Sequence, residues 1–322
     1  MKGSVLVQEI HGYRLIGDFT TTDAGFCKWA FAKRNRHEFF IKEFISPRYP
    51  SESHGLDEAV VAVKRKQCEE FFQTKKVFYE QLKRCRTGNI MWICDFFRDG
   101  SKYYAVTDKV YGKIISADEI CYLSNEKKLI IIRALLHSFS VLHAHHIVHA
   151  DVRPENILIK ETVSGYYTPK IIDFDASYFE EEPPEEIFGD MVYLAPESRL
   201  QMMEVEVPLT TKVDIFSLGI LLHLYWTGQL PGTGTGYDYA FEVVLADKEL
   251  ILSNNLPGGL KTIIQRMLQK QAEYRPSAEE ILCRIDALCK DVIPEKSDDT
   301  RRGAYPKERS GRSVLRVPSD LG

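Results

Sequence analysis

The chain has 322 residues, 44% hydrophobic and 27% charged, which is enough to bury a large core in one big domain or in two lobes. A formal net charge of -4 gives no global attraction to nucleic acid or to an anionic membrane. No stretch approaches a transmembrane helix in length, the first residues lack the apolar core of a secretion signal, and Lys2 stands where myristoylation needs glycine.

The N-terminal third reads as strands around one helix. Tyr13 to Phe19 alternates like a strand, and residues 27–32 and 39–44 flank Asn35-Arg36-His37-Glu38 as a hairpin. Residues 46–55 hold two prolines and several serines and read as a loop. A long helix is expected from about Asp57 to Arg84, with Phe71, Phe78 and Leu82 on one face. Two further strands are expected at 90–97 and 103–110. From Ala117 the pattern turns helical, and 125–145 reads as a buried amphipathic helix carrying Leu129, Ile132, Leu135, Leu136, Phe139 and Leu142. The last thirty or so residues mix charge with Gly, Pro and Ser and read as a loosely docked or disordered tail. Seven cysteines form no Cys-x-x-Cys pair, so they read as reduced thiols of a cytoplasmic protein, most of them acting as small buried hydrophobes.

Chemistry concentrates at His149-Ala150-Asp151-Val152-Arg153-Pro154-Glu155-Asn156 and Asp173-Phe174-Asp175. These supply a carboxylate, an amide five residues on, and a second carboxylate seventeen residues after the amide. Phosphoryl transfer from ATP needs those groups: one carboxylate to orient the attacking hydroxyl, and an amide and a carboxylate to hold Mg²⁺ on the phosphates. Apolar strand-like residues, Ile147-Val148, Ile157-Leu158-Ile159 and Ile171-Ile172, flank both motifs.

This stretch resembles the catalytic loop and metal-binding motif of protein kinases. Four further segments continue the resemblance in order. They are Phe40-Ile41-Lys42, Ala195-Pro196-Glu197 after Gly189 to Leu194, Asp214-Ile215-Phe216-Ser217-Leu218-Gly219, and Arg275-Pro276-Ser277 after Met267-Leu268. The resemblance spans about Tyr13 to Leu288 and implies a two-lobed α+β fold. An antiparallel N-lobe sheet with one long helix would occupy 1–108, a mainly helical C-lobe 109–290, and the tail 291–322.

The resemblance also implies roles. Asp151 would be the catalytic base, Arg153 a charge on the γ-phosphoryl in the place of the usual lysine, and Asn156 and Asp173 the Mg²⁺ ligands. Lys42 would meet the α and β phosphates. The long helix would offer Lys42 a glutamate; Glu69, Glu70 and Glu80 are candidates, with Glu70 preferred. Thr107 falls at the gatekeeper position, and the backbone of Asp108 and Val110 would bond the purine edge. Cys27 would lie over the adenine, with Trp29 as an alternative roof. Asp214 would anchor the catalytic loop, and Glu197 and Arg275 would form a buried ion pair. His149 reads as structural, and His143, His145 and His146 as solvated or capping groups.

The chain departs from the family pattern at several points. The glycine-rich loop is reduced to Gly17 and Gly25, separated by a longer segment with two carboxylates. Ala150 replaces the arginine that reads activation-loop phosphate, so phosphorylation there is not expected to be the main switch. Asp175 replaces the glycine after Asp-Phe, which should stiffen the turn. Ser177, Tyr178 and Tyr193 are candidate autophosphorylation sites, though merely exposed or packed positions explain them better, and Ser310 and Ser313, beside arginines in the tail, are candidates too.

The expectation is a divergent, bacterial-type serine/threonine protein kinase using ATP and Mg²⁺. Its partners would be protein substrates, itself included, with neither nucleic acid nor membrane. A pseudokinase that binds nucleotide or partners without transfer, and a small-molecule kinase, are the alternatives. The latter usually lacks the motifs after Asp173.

Overall fold

The computed structural model describes residues 8–21, 27–50 and 57–292. Six strands form the first sheet, all antiparallel: β1 (Glu9–Ile10), β2 (Tyr13–Thr20), β3 (Cys27–Arg34), β4 (His37–Phe44), β5 (Asp95–Asp99) and β6 (Lys102–Asp108), in the order β1-β2-β3-β4-β6-β5. The β3–β4 connection is the expected hairpin. Asn35 and Arg36 take φ of 52° and 74°, the left-handed pair that matches the twist of a two-residue turn.

Side chains alternate across this sheet. Leu15, Ala30, Ala32, Ile41, Tyr104 and Val106 pack into a core of their own on one face. On the other face cross-strand pairing puts Trp29 opposite Lys42, Phe31 opposite Phe40, Ala105 opposite Lys42 and Thr107 opposite Phe40. That face looks into the cleft.

Helix α1 (Glu58–Leu82) covers the sheet's end, close to its expected span. Asp57 caps it, its carboxylate accepting from the Ala59 amide at 3.0 Å. Phe71 packs edge-on against Phe44 and Tyr103, and Phe72 stacks on Phe96 at 5.0 Å. The strand expected at 90–97 starts later, at Asp95. Ile90 and Met91 instead meet the chain around Ile171, whose carbonyl accepts from the Met91 amide at 2.9 Å. The Asn89 carbonyl likewise accepts from the Ile171 amide at 2.7 Å, so this segment bonds the strand that ends at Ile171 and not β6.

The helical half follows. β7 (Ile114–Ile115), α2 (Ala117–Ile120) and α3 (Asn125–Ala144) lead to the short β8 (Ile147–Val148). The chain then passes through β9 (Ile157–Glu161), β10 (Tyr167–Ile171) and β11 (Tyr178–Phe179), which pair as β10-β9-β7 and β11-β8. α4 (Pro196–Met202), α5 (Lys212–Thr227), α6 (Ala240–Leu245), α7 (Gly258–Met267) and α8 (Ala278–Val292) complete it. α3 packs its apolar face on α8. α5 is apolar on all sides and buried from Val213 to Trp226, as a central core helix should be. Gly228 ends it at φ 75°, where a Cβ would meet the Cys121 Sγ at 3.0 Å. Among the described residues no helix is long and apolar enough to cross a membrane. All seven cysteines are free thiols.

His223, inside α5, yields a stability prediction. Its Nδ1–H donates to the Gln229 carbonyl at 2.7 Å, and its Nε2 accepts from the Ser253 amide at 3.0 Å. Burial lowers its pKa. The unfolded chain therefore binds a proton more readily than the native one below the free-imidazole value. Stability should fall as pH drops from about 6.5 toward the depressed native value. Between pH 7 and 5.5 the melting temperature of the parent should fall more steeply than that of His223→Gln. Parallel curves would refute this role.

Candidate active site

Asp151 lies in the loop between β8 and β9, and α5 holds that loop. The Asp214 carboxylate, fully buried at the first turn of α5, accepts from the His149 amide at 2.8 Å and from the Ala150 amide at 2.9 Å. Those bonds fix Ala150 at φ 66°, a left-handed conformation costly for a residue with a Cβ. Asp214 therefore holds the loop as the motif implied. The His143 Nε2 sits 3.0 Å from the same carboxylate, so this histidine is a partly buried partner of Asp214 and not a solvated group. His145 does cap α3, and the exposed His146 faces Glu180 and Glu181.

His149 is buried and structural. Its Nδ1 accepts from the Asp151 amide at 3.3 Å, so its proton sits on Nε2, which donates to the Ile172 carbonyl at 3.0 Å. Phe174 packs against the ring at 4.9 Å. Asn156 closes the loop. Its Nδ2 donates to the Asp151 carbonyl at 2.8 Å and to Asp151 Oδ2 at 2.7 Å, while its own carbonyl accepts from the Ile172 amide at 2.9 Å. The segment leading to Asp173 is thus pinned to the loop carrying Asp151.

Asp173 takes φ 62° and reaches across to the sheet. Lys42 Nζ lies 2.7 Å from Asp173 Oδ1 and 2.9 Å from Asp175 Oδ2. Glu70 does not take part. Its carboxylate is 62% exposed and pairs with Lys66 one turn away, while Glu80 pairs with Lys83. The residue that α1 sends into the cluster is Lys75, whose Nζ donates to the Asp175 carbonyl at 2.7 Å. Its spacing on the helix gave the signal: residues 71, 75, 78 and 82 form one stripe, and Lys75 is the cation among Phe71, Phe78 and Leu82.

The charges of this cluster follow from its packing. Burial works against the Lys42 ammonium, but Asp175 and Asp173 outweigh it and hold the charge above its ordinary range. Burial and the neighbouring Asp175 push Asp173 up. Asp175, also buried but set between Lys42 and Lys75, is held below the usual carboxylate value. Burial pulls Lys75 down against both carboxylates.

The remaining predicted residues are distributed as follows. Cys27, two residues before Trp29 on β3, places its Sγ 3.5 Å from Asp175 Oδ2. Burial and that carboxylate push the thiol well above its ordinary pKa. Arg153 pairs with Glu155 at 2.7 Å and with Asp190 at 2.9 Å, so Asp190 is a partner the motif did not announce. Thr107 faces the cleft beside Phe40; Asp108 ends β6 and Val110 lies two residues beyond it. Trp29, Phe31 and Phe40 form an aromatic cluster on that face, with Trp29 and Phe40 stacked at 5.3 Å. Gly17 sits at φ 83° in the β2 bulge, with open space where a Cβ would go. Gly25 lies outside the described residues, as do Ser310 and Ser313. Ser177 and Tyr178 are buried, and the Ser177 hydroxyl donates to the His149 carbonyl at 2.9 Å.

Glu197 and Arg275 form the expected buried pair, bidentate at 2.6 and 2.8 Å. The family described as protein kinase domain matches this chain over residues 53–284, well over half its length.

The chain belongs to the protein kinase family.

The matched span starts after Lys42, so β1 to β4 stand on geometry alone. Curated relatives are serine/threonine and calcium-dependent kinases. The serine/threonine-protein kinase PkaA of Streptomyces coelicolor is 29% identical over 62% of this chain and 37% of its own length. Calcium-dependent protein kinase 4 of Plasmodium falciparum is 29% identical over 63% of this chain and 39% of its own. Sperm motility kinase Z of Mus musculus is 26% identical over 71% and 45%. The chain thus spans less than half the length of these relatives.

Proposed function

We propose that this chain is a serine/threonine protein kinase that transfers the γ-phosphoryl of ATP to a protein hydroxyl. The observation that carries the reading is the joint placement of Asp151, Asn156, Asp173 and Lys42: two loops pinned to each other, with a sheet lysine closing on the second. The acceptor oxygen attacks phosphorus, the bond to the bridging oxygen of ADP breaks, and Asp151 takes the hydroxyl proton. Arg153, held by Asp190 and Glu155, supplies charge beside the transferred group. Lys42 meets the α and β phosphates. Gly17 and Gly25 bound the segment over them, and the backbone of Asp108 and Val110 meets the purine beside Thr107. Cys27 roofs the adenine, with Trp29, stacked on Phe40, as the alternative.

The donor set fits Mg²⁺. Asn156 spends its Nδ2 on Asp151, which leaves oxygen as the atom it can offer a cation, and Asp173 adds a carboxylate. When bound, Mg²⁺ neutralises charge on the phosphates. The free thiols fit a reducing, cytoplasmic setting.

A pseudokinase is the second reading. The aromatic cluster fills part of the cleft face, and Asp173 is engaged by Lys42. Transfer of label from γ-labelled ATP with Mg²⁺, to the chain itself and to a protein mixture, separates the two. Labelled serine or threonine is expected, at the same rate after phosphatase treatment, because Ala150 stands where an arginine would read an activation-loop phosphate. ATP binding without labelled protein would establish the pseudokinase, and a labelled metabolite alone a small-molecule kinase.

A further inference from the structure

Lys42 needs a partner that stays with it when Asp173 turns to other work. Within the proposed reading, Asp173 is a metal ligand, and a carboxylate cannot give the same oxygens fully to a cation and to an ammonium. Helix α1 offers no carboxylate here. It sends Lys75 instead, and a second ammonium beside Lys42 would be repulsive if nothing lay between them. Asp175 lies between them. Its Oδ2 is 2.9 Å from Lys42 Nζ, its carbonyl accepts from Lys75 Nζ at 2.7 Å, and its amide donates to Asp173 Oδ1 at 3.3 Å. One residue thus touches both cations and the neighbouring carboxylate. Two ammonium groups and two carboxylates balance in a partly buried cluster, where an unmatched charge is costly.

We infer that Asp175 is the positioning residue of Lys42, and that Lys75 holds the backbone of Asp175 in place, so that the pairing of helix and strand runs with its charges relocated. The helix supplies the cation and the loop after Asp173 supplies the anion. The aspartate in place of glycine and the lysine on the apolar stripe of α1 are then one device.

The inference rests on the kinase reading for its purpose but not for its test. The rate at which a lysine-selective acylating reagent modifies Lys42, followed by mass spectrometry without nucleotide, reports how firmly Lys42 is held. Affinity for a fluorescent ATP analogue with Mg²⁺ is the second readout. Asp175→Gly and the near-isosteric Asp175→Asn should each raise Lys42 acylation about tenfold and weaken analogue binding about tenfold, the loss of one charge-assisted hydrogen bond. Lys75→Glu combined with Asp175→Gly should return both readouts to within about threefold of the parent, because the helix would then present a carboxylate to Lys42. Acylation of Asp175→Asn at the parent rate would overturn the inference. So would a double variant that folds and is no closer to the parent than Asp175→Gly. If the double variant does not fold, Asp175→Asn decides alone. An inactive parent that still shows these changes would overturn the kinase reading and leave this one standing.

Discussion

Replacing Arg275 by alanine should cost roughly 3–5 kcal/mol of stability, the range for removing one member of a buried ion pair. Arg275 is fully buried, and its five N–H donors all have partners. Nη1 donates to Glu197 Oε1 at 2.6 Å and to the Lys212 carbonyl at 2.9 Å. Nη2 donates to Glu197 Oε2 at 2.8 Å and to the Lys270 carbonyl at 3.0 Å. Nε donates to the Gln269 carbonyl at 2.8 Å. The guanidinium also lies 5.0 Å from the ring centre of Phe216. One side chain therefore ties the first turn of α4, the start of α5 and the chain after α7. Alanine would leave the buried Glu197 carboxylate and three partly buried carbonyls without this donor. The melting temperature should drop by on the order of 10 °C, with lower soluble yield. Affinity for an ATP analogue, per folded molecule, should not change, because none of these groups lies in the cleft. Arg275→Lys should recover only part of the loss, since an ammonium has three donors and no planar fork. A melting temperature equal to the parent's would refute the argument.

Asp151→Asn should lower the rate of phosphoryl transfer by a factor of about 10²–10⁴, the usual contribution of a positioned general base. The substitution is close to isosteric. The amide oxygen of the new residue can still accept from Asn156 Nδ2, which now bonds Asp151 Oδ2 at 2.7 Å, so the loop should keep its shape. Asp214 and His149, which hold the backbone around position 151, are untouched. The loss should therefore fall on kcat, with KM for ATP within about threefold of the parent, the pattern of an interaction made only in the transition state. Transfer within tenfold of the parent would show that Asp151 is not the base. A KM for ATP raised in proportion would show that it acts on nucleotide binding instead.

The local motifs were legible because each is short and each needs specific atoms. Asp214, Glu197 and Arg275 could be assigned partners before any coordinates because the resemblance to the kinase motifs implies them. The strands and α1 were legible from alternation and from the Phe71, Phe78 and Leu82 stripe. The late start of β5 was not, because residues 90–94 are as apolar as a strand and differ only in what accepts their backbone bonds. The partner of Lys42 was not legible either. Sequence offers three glutamates on α1 and cannot tell which way a helix turns in its socket. Packing of Phe71 and Phe72 against the sheet fixes that turn, and it points Lys75 inward and Glu70 outward.

By itself, then, the sequence determined which chemical groups are present, their order and, through the resemblance of its motifs, the Glu197–Arg275 pair. Tertiary structure alone decided which charges meet. Lys42 comes from one strand, Lys75 from one helix and Asp175 from a loop 133 residues after Lys42. A Coulomb contact depends on a distance of a few ångströms that spacing along the chain does not contain. Only the fold, by bringing strand, helix and loop to one point, makes them a single cluster.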